Sequence, residues 1–271
     1  MTQPTSTPEA AAAEDSAAVS QLTPDADLSH VLLDIEGTTC PVSFVADTLF
    51  PYARTRLESF LLEHRQDPHL QPLLAELNKA YRNDCHNTDS EAIEPEPIEP
   101  EPPDLHQLSR FLRQLIDEDR KLTALKDLQG LIWKEGYHSG ILQAPLFADV
   151  APALERWQAA GLRLAVYSSG SVAAQQLLYG YSAAGDLREL FCGWFDTRIG
   201  RKQDPASYLK IAESLASPPA RILFVSDSLA ELDAAHSSGL SVIFSNRPGN
   251  PEHDPGLYSQ LTSFGQIQLA V

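Results

Sequence analysis

Apolar residues recur along this chain at two different spacings. A short run, His30-Val31-Leu32-Leu33, holds a β-branched residue and stops at Asp34, which predicts a buried strand. From Thr48 to about His138 the spacing becomes three and four. It runs through Leu57, Phe60, Leu61 and His64, then Leu70, Leu73, Leu74 and Leu77, then Leu105, Leu108, Phe111, Leu112 and Leu115, then Leu125, Leu128, Leu131 and Ile132. Four such stretches predict a small bundle of amphipathic helices. After Phe147 strands and helices alternate. Strands are expected at Leu162–Tyr167, Ile222–Val225 and Ser241–Phe244. Helices are expected at Pro152–Ala160, Val172–Leu178, Pro205–Leu215 and Leu229–Ser237, with Gly161 and Gly239 as stops. Such alternation predicts right-handed βαβ units. The expected fold class is therefore α/β: a Rossmann-like parallel sheet core with helices on both faces and an inserted all-helical cap domain. Residues 29–46 and 146–271 are assigned to the core and 47–145 to the cap.

Composition refines this picture in three places. The formal net charge is −17, but it is concentrated. Residues 1–30 hold five acids and residues 83–104 hold eight, with no Lys or Arg in either, so the remainder carries only −4. Residues 1–28, rich in Ala, Ser, Thr and Pro, are expected to be a disordered acidic tail. The repeat SEAIEPEPIEPEPPD predicts an extended acidic Glu-Pro loop at 84–104, because proline at this density blocks helix and strand. No basic stripe points to nucleic acid or anionic membrane, and no apolar run reaches the roughly 18 residues of a membrane helix. Neither a basic start nor an apolar block marks a secretory signal at the N-terminus. The three cysteines, Cys40, Cys85 and Cys192, form no CxxC pair, which fits a reducing compartment.

The chemistry lies where strands end. In open parallel sheets, ligands gather beyond the carboxyl ends of the strands. Three polar clusters occupy such ends: Asp34-Ile35-Glu36, Ser168-Ser169-Gly170 and Ser226-Asp227. Asp34 and Glu36, two apart in extended chain, would repel unless a cation sat between them. With Asp227 they form a hard oxygen donor set that suits Mg²⁺. Ser168, the amides around Ser169 and the helix start near Ser171 can bind an anion. Lys202, just before a helix, can pair with a phosphate oxygen. Taken singly, each is ordinary: DxE as solvated acids, SSGS as a helix cap, Lys202 as a surface lysine, Asp227 as a turn residue. Their order and shared strand context carry the reading of a Mg²⁺-dependent phosphatase. Trp133, Tyr137 and Phe147 are expected mainly in the bundle core and secondarily as apolar substrate contacts. His64 and His138 are read as surface or packing residues, and Cys40 as a small packing residue.

This order of sites resembles the haloacid dehalogenase-like hydrolase superfamily from about residue 30 to 265. The strings DIEGTTCPVSFV (Asp34–Val45), IWKEGYHSG (Ile132–Gly140), YSSGSVAAQQLLYG (Tyr167–Gly180), FDTRIGRKQDPASY (Phe195–Tyr208) and RPGN (Arg247–Asn250) resemble the enolase-phosphatase (acireductone synthase) family of methionine salvage. Glu36 stands where most of the superfamily has Asp, and Cys40 where the family usually has Thr. The resemblance implies hydrolysis of 2,3-diketo-5-methylthiopentyl-1-phosphate, after enolisation, to 1,2-dihydroxy-5-methylthiopent-1-en-3-one and phosphate. It implies Asp34 as nucleophile and metal ligand, Glu36 as acid/base and metal ligand, Asp227 as metal ligand, and Ser168, Ser169 and Lys202 as substrate-binding residues. Glu231 is a further candidate near them. One Mg²⁺ per subunit, a small phosphorylated substrate, no nucleic acid or membrane partner, a monomer, and a cytoplasmic or also nuclear location are expected. The alternatives are a phosphatase of the same superfamily acting on another phosphorylated metabolite, a metal-free dehalogenase, and a non-catalytic docking protein.

Overall fold

The computed structural model describes residues 27–88, 104–118, 120, 122–251 and 253–268. The expected tail lies almost wholly outside the described residues, as does the stretch 89–103. Six strands form one sheet in the order β3-β2-β1-β4-β5-β6. They are β1 His30–Leu33, β2 Arg163–Tyr167, β3 Phe191–Phe195, β4 Ile222–Ser226, β5 Ser241–Ser245 and β6 Gln260–Leu261. Every pairing is parallel. β1 sits in the middle, with Leu33 opposite Val166 on one side and Val225 on the other. All four β1 residues are buried because both sheet faces are covered.

The helices explain that cover. A single turn, α1 (Val42–Phe44), passes through a π-helical turn at Val45–Leu49 into α2 (Phe50–Glu63). Then come α3 (Gln71–Thr88), α4 (Leu105–Asp117), α5 (Thr123–His138), α6 (Val150–Ala159), α7 (Val172–Gly180), α8 (Pro205–Ser214) and α9 (Leu229–Ser237). Alternation along the strands sorts the core. Leu32, Ala165, Tyr167 and Phe224 pack with Tyr208, Ile211 and Leu232 of α8 and α9. Val31, Leu33, Leu164 and Val166 pack on the other face with Leu154 of α6 and Leu178 of α7. That second cluster continues without a break into Leu57, Leu61, Leu112 and Leu128 of α2, α4 and α5. Asp104 starts α4 with a reciprocal cap: its carboxylate accepts from the Gln107 amide, and the Gln107 side chain accepts from the Asp104 amide.

One expectation needs correction, and two strands escape the sequence pattern. α3 runs to Thr88, so the Glu-Pro loop does not begin at 84; the first proline of that stretch is Pro95, and nothing before it stops a helix. The strand β3 was not foreseen, because Gly193 in its centre and Cys192 dilute the apolar signal of its aromatics. β6 is only two residues long and half polar, too short for a periodicity to show.

Candidate active site

β1, β2 and β4 are neighbours, so residues far apart in the chain end at one sheet edge. Strand order reverses there: the chain steps from β1 through β2 to β3, then returns to the far side of β1. That reversal opens a crevice at the carboxyl ends. The ladder runs past the strands. The Asp34 amide donates to the Val225 carbonyl at 3.0 Å, and the Ser168 amide donates to the Phe195 carbonyl at 3.1 Å.

After Asp34 the chain turns tightly. The amides of Thr39 and Cys40 donate to the Ile35 carbonyl at 2.9 and 3.0 Å, and the Gly37 amide donates to the Cys40 carbonyl at 2.8 Å. Gly37 has φ +72, and a methyl group there would lie 1.8 Å from Asp227 Oδ2. Glycine is therefore required twice, by the left-handed backbone and by the close approach of Asp227. The turn is also held from outside. Arg247 Nε donates to the Thr38 carbonyl at 2.9 Å, and Asn250 Nδ2 and Ser245 Oγ each donate to the Gly37 carbonyl at 3.2 Å. The Val42 amide donates to Asn250 Oδ1 at 3.2 Å.

Lys202 enters from the loop before α8. Its backbone segment is clamped: Tyr208 Oη donates to the Lys202 carbonyl at 2.7 Å, Ser207 Oγ to the Arg201 carbonyl at 2.7 Å, and Tyr167 Oη to the Gly200 carbonyl at 3.0 Å. Lys202 Nζ lies 2.6 Å from both Asp34 Oδ1 and Glu231 Oε2, with all three side chains about 90% or more buried. Burial opposes its charge, yet Asp34 and Glu231 more than offset this and hold Lys202 protonated above the ordinary lysine range. Ser226 Oγ donates to Glu231 Oε2 at 2.9 Å. Glu231, only a secondary candidate from sequence, is thus a direct partner of Lys202. One helical turn after Asp227, on α9, was the signal for it.

Negative charge exceeds positive here. Burial, then the charges of Asp34 and Glu231, push the Asp227 carboxyl up to about 7, with Lys202 pulling the other way. Burial and Asp34 raise Glu231 likewise. Oxygen donors with surplus negative charge fit a hard divalent cation, although among the described residues the carboxylates whose ligand atoms already converge with a histidine's are Glu63 and Glu135, beside His64, and not those at the β1 and β4 ends. Cys40, in the same turn, is buried and its thiol is pushed up to about 12 by burial and by Glu36.

Ser168 is buried and its hydroxyl accepts from the Gly170 amide at 3.1 Å. Ser171 caps α7 by accepting from the Ala174 amide. Glu36 and Ser168–Ser171 border a cavity of about 790 Å³, whose other wall is α5 with Leu49, Leu115 and Ile116. From α5, Lys126 Nζ donates to the Ser169 carbonyl at 2.6 Å. Trp133 and Tyr137 are buried and also line the cavity, and Trp133 Nε1 donates to the Leu49 carbonyl at 2.8 Å. Phe147 does not line it; its ring lies under the Arg247 guanidinium at 4.9 Å, because the Phe147 amide is drawn to the Thr39 carbonyl. His64 pairs with Glu135 at 2.6 Å, and His138 packs on Tyr181. Lys126, Gly37, Arg247 and Asn250 had no role in the sequence reading. Gly37 and RPGN lay inside quoted motifs; Lys126 looked like any surface lysine.

The parallel sheet with its reversal at β1, the Asp–Lys–Glu contact and the acidic β4 end define a haloacid dehalogenase-like hydrolase. The family model described as haloacid dehalogenase-like hydrolase matches residues 28–239. "Enolase-phosphatase E1" of Synechococcus sp. (strain RCC307) is 53% identical, over 83% of this chain and 88% of its own length. "Enolase-phosphatase E1" of Aquifex aeolicus (strain VF5) is 41% identical, over 88% of this chain and 98% of its own. The crystal structure of the UTR4 protein (Unknown transcript 4 protein) of Saccharomyces cerevisiae aligns with TM-score 0.70 and 32% identity, covering 89% of this chain and all of that one. The chain belongs to the enolase-phosphatase family of the haloacid dehalogenase-like hydrolases. Among the described residues no helix is long and apolar enough to cross a membrane.

Proposed function

We propose that this protein converts 2,3-diketo-5-methylthiopentyl-1-phosphate to 1,2-dihydroxy-5-methylthiopent-1-en-3-one and phosphate, through a phosphoryl group carried on Asp34. The observation that carries the reading is Lys202, held at 2.6 Å from Asp34 beside a largely apolar cavity whose polar rim is Glu36 and the serine turn. The family relationship supplies the substrate; the geometry supports the roles.

Residues 29–46 and 146–271 act as the catalytic core, and 47–145 as a cap that excludes water from the substrate. Ser168, Ser169 and Lys202 hold the phosphate, helped by the positive end of α7 at Ser171. Lys202 also holds the Asp34 carboxylate in place through the 2.6 Å contact. An Asp34 oxygen attacks phosphorus as the bond from phosphorus to the enol oxygen breaks. Glu36 gives its proton to that leaving oxygen, then takes one from a water that attacks the phosphoryl group and frees Asp34. Glu36, one methylene longer than the usual Asp, also serves the preceding enolisation. Asp34 and Asp227 would hold one Mg²⁺ through their carboxylates and Glu36 through a main-chain oxygen, which leaves its carboxyl free to carry the proton; the ion would offset the charge of the phosphate dianion and the carboxylates. The protein works as a monomer. Its compartment is the cytoplasm, since the relatives that carry the argument are bacterial; a nuclear location gains no support from them.

Incubation with the diketo phosphate and Mg²⁺, following phosphate release and enediol absorbance together, tests the reading. Wild type should give both signals, Asp34→Asn should release no phosphate, and EDTA should stop release until Mg²⁺ is restored. Failure of wild type on this substrate, with activity on other phosphate esters, would overturn the substrate assignment.

A further inference from the structure

The wall of the cavity opposite the serine turn is one face of α5. Leu122 just before it, then Lys126, Gln129, Trp133 and Tyr137, recur at four, three, four and four residues, and all line the cavity. Most of that face has a structural partner. Lys126 is tied to the Ser169 carbonyl and Trp133 to the Leu49 carbonyl. Gln129 differs. It is 6% exposed, and among the described residues its side-chain amide has no hydrogen-bond partner. A buried amide carries two donors and an acceptor that water satisfied in the unfolded chain. The polar atoms of Gln129 are not among the fully buried, unpartnered ones; they reach the cavity, where a ligand that displaces water from them must supply hydrogen bonds in its place. An amide with no protein partner that reaches a ligand cavity, one turn from a lysine docked on the serine turn, is placed to meet a polar ligand atom.

We infer that Gln129 is a specificity-determining residue that hydrogen-bonds an oxygen on the carbon chain of the substrate, beyond its phosphate. The inference rests on the proposed function and names the part of the substrate that this wall reads. Distance along the helix orders the contacts. The phosphate end lies toward Lys126 and the serine turn. The apolar tail lies toward Trp133 and Leu49. Gln129, between them, faces the stretch of chain that bears the two carbonyl oxygens of a diketone. Its amide N–H groups donate to such an oxygen, and its own carbonyl accepts from the enol hydroxyl formed there. A phosphate ester with a plain alkyl chain leaves the amide unmet, so the site disfavours it.

Gln129→Leu and Gln129→Glu in the full chain test this. With the diketo phosphate, kcat/KM of Gln129→Leu should fall about 10–100-fold, the loss expected for one buried hydrogen bond. The Ki of n-pentylphosphonate, which has the chain but none of the carbonyl oxygens, should stay within about twofold. Melting of the unliganded Gln129→Leu protein should hold or rise, by about 2–4 °C per increment of stability comparable to one hydrogen bond. Gln129→Glu, which keeps an acceptor and loses the donors, should also lose activity on the diketo phosphate. Equal losses for substrate and phosphonate, or a lowered melting temperature, would show a packing role and overturn the inference. So would undiminished activity of Gln129→Leu on the diketo phosphate. A wild-type protein inert toward the diketo phosphate would instead overturn the proposed function, and this inference with it.

Discussion

Lys202 does two jobs at one atom. It pairs with two buried carboxylates, and it stands beside the oxygen that would attack phosphorus. Lys202→Met should therefore lower kcat by at least about 10²–10³-fold. It should also destabilise the fold by about 3–5 kcal/mol, since Asp34 and Glu231 are left buried without a counter-charge. Urea melts of Lys202→Met and of Lys202→Met/Glu231→Gln check the second half: the double variant should recover part of the loss. Gly37 gives a sharper contrast. Gly37 and Gly140 both have left-handed backbones, φ +72 and +75, but a methyl group at Gly140 meets nothing within 4 Å. Gly140→Ala should cost only backbone strain, about 1–2 kcal/mol, with activity intact. Gly37→Ala must also push Asp227 aside, so its phosphatase activity should fall far more than its stability. Comparing kcat and melting temperature of the two variants decides this.

At the level of elements, the turn after β1 is braced by parts of the chain that carry no chemistry. Arg247, between β5 and β6, donates to the Thr38 carbonyl and, through Nη1, to Asp149 Oδ2 at 2.7 Å; its guanidinium lies 4.1 Å from the Phe264 ring centre. Asp149, just before α6, accepts in addition from Ser263 Oγ and the Phe264 amide. Burial pushes the Asp149 carboxyl up, but Arg247 and these donors more than offset it and hold it below the ordinary carboxylate value. A depressed folded-state pKa contributes stability above the unfolded value, and that contribution is lost as pH falls through the folded value. Asp149→Asn should therefore be less stable than wild type by roughly 2–3 kcal/mol near neutral pH. The gap should close once pH falls below the ordinary aspartate range, near 4 and lower. Denaturant melts of both proteins across that range measure it; a gap independent of pH would refute the assignment. The same elements show why sequence reading reached only so far. β1, β2 and β4 announce themselves as apolar runs ending in polar residues, so Asp34, Ser168 and Asp227 were legible. The bracing by Arg247 and Asn250 depends on a loop folding back over 200 residues of chain, which no local pattern reveals. Glu36 was legible only as one of a pair; that it borders the cavity follows from the sharp turn at Gly37.

Across the whole molecule, one apolar cluster joins the helices of the middle segment to a face of the sheet. The two parts should thus melt together, and calorimetry of the full chain should show a single transition rather than two. The alternation of strands with helices made the α/β architecture readable, and the spacing of three and four made the helical insertion readable. Gln129 and Lys126 were not, because which side of α5 looks into a cavity is decided only by packing against α2, α3 and α7. The sulfur chemistry follows from that packing too. Cys40 sits in the turn that follows Asp34, the proposed nucleophile, yet it is fully enclosed and its thiol is pushed up to about 12, whereas Cys192 is open to solvent. Alkylating reagents and peroxide act on thiolates. Iodoacetamide should therefore modify Cys192 and spare Cys40, with turnover preserved, as mass mapping beside an activity assay would record. With Asp34 attacking through oxygen, as proposed, and the Cys40 sulfur held as thiol, dilute peroxide should leave turnover unchanged.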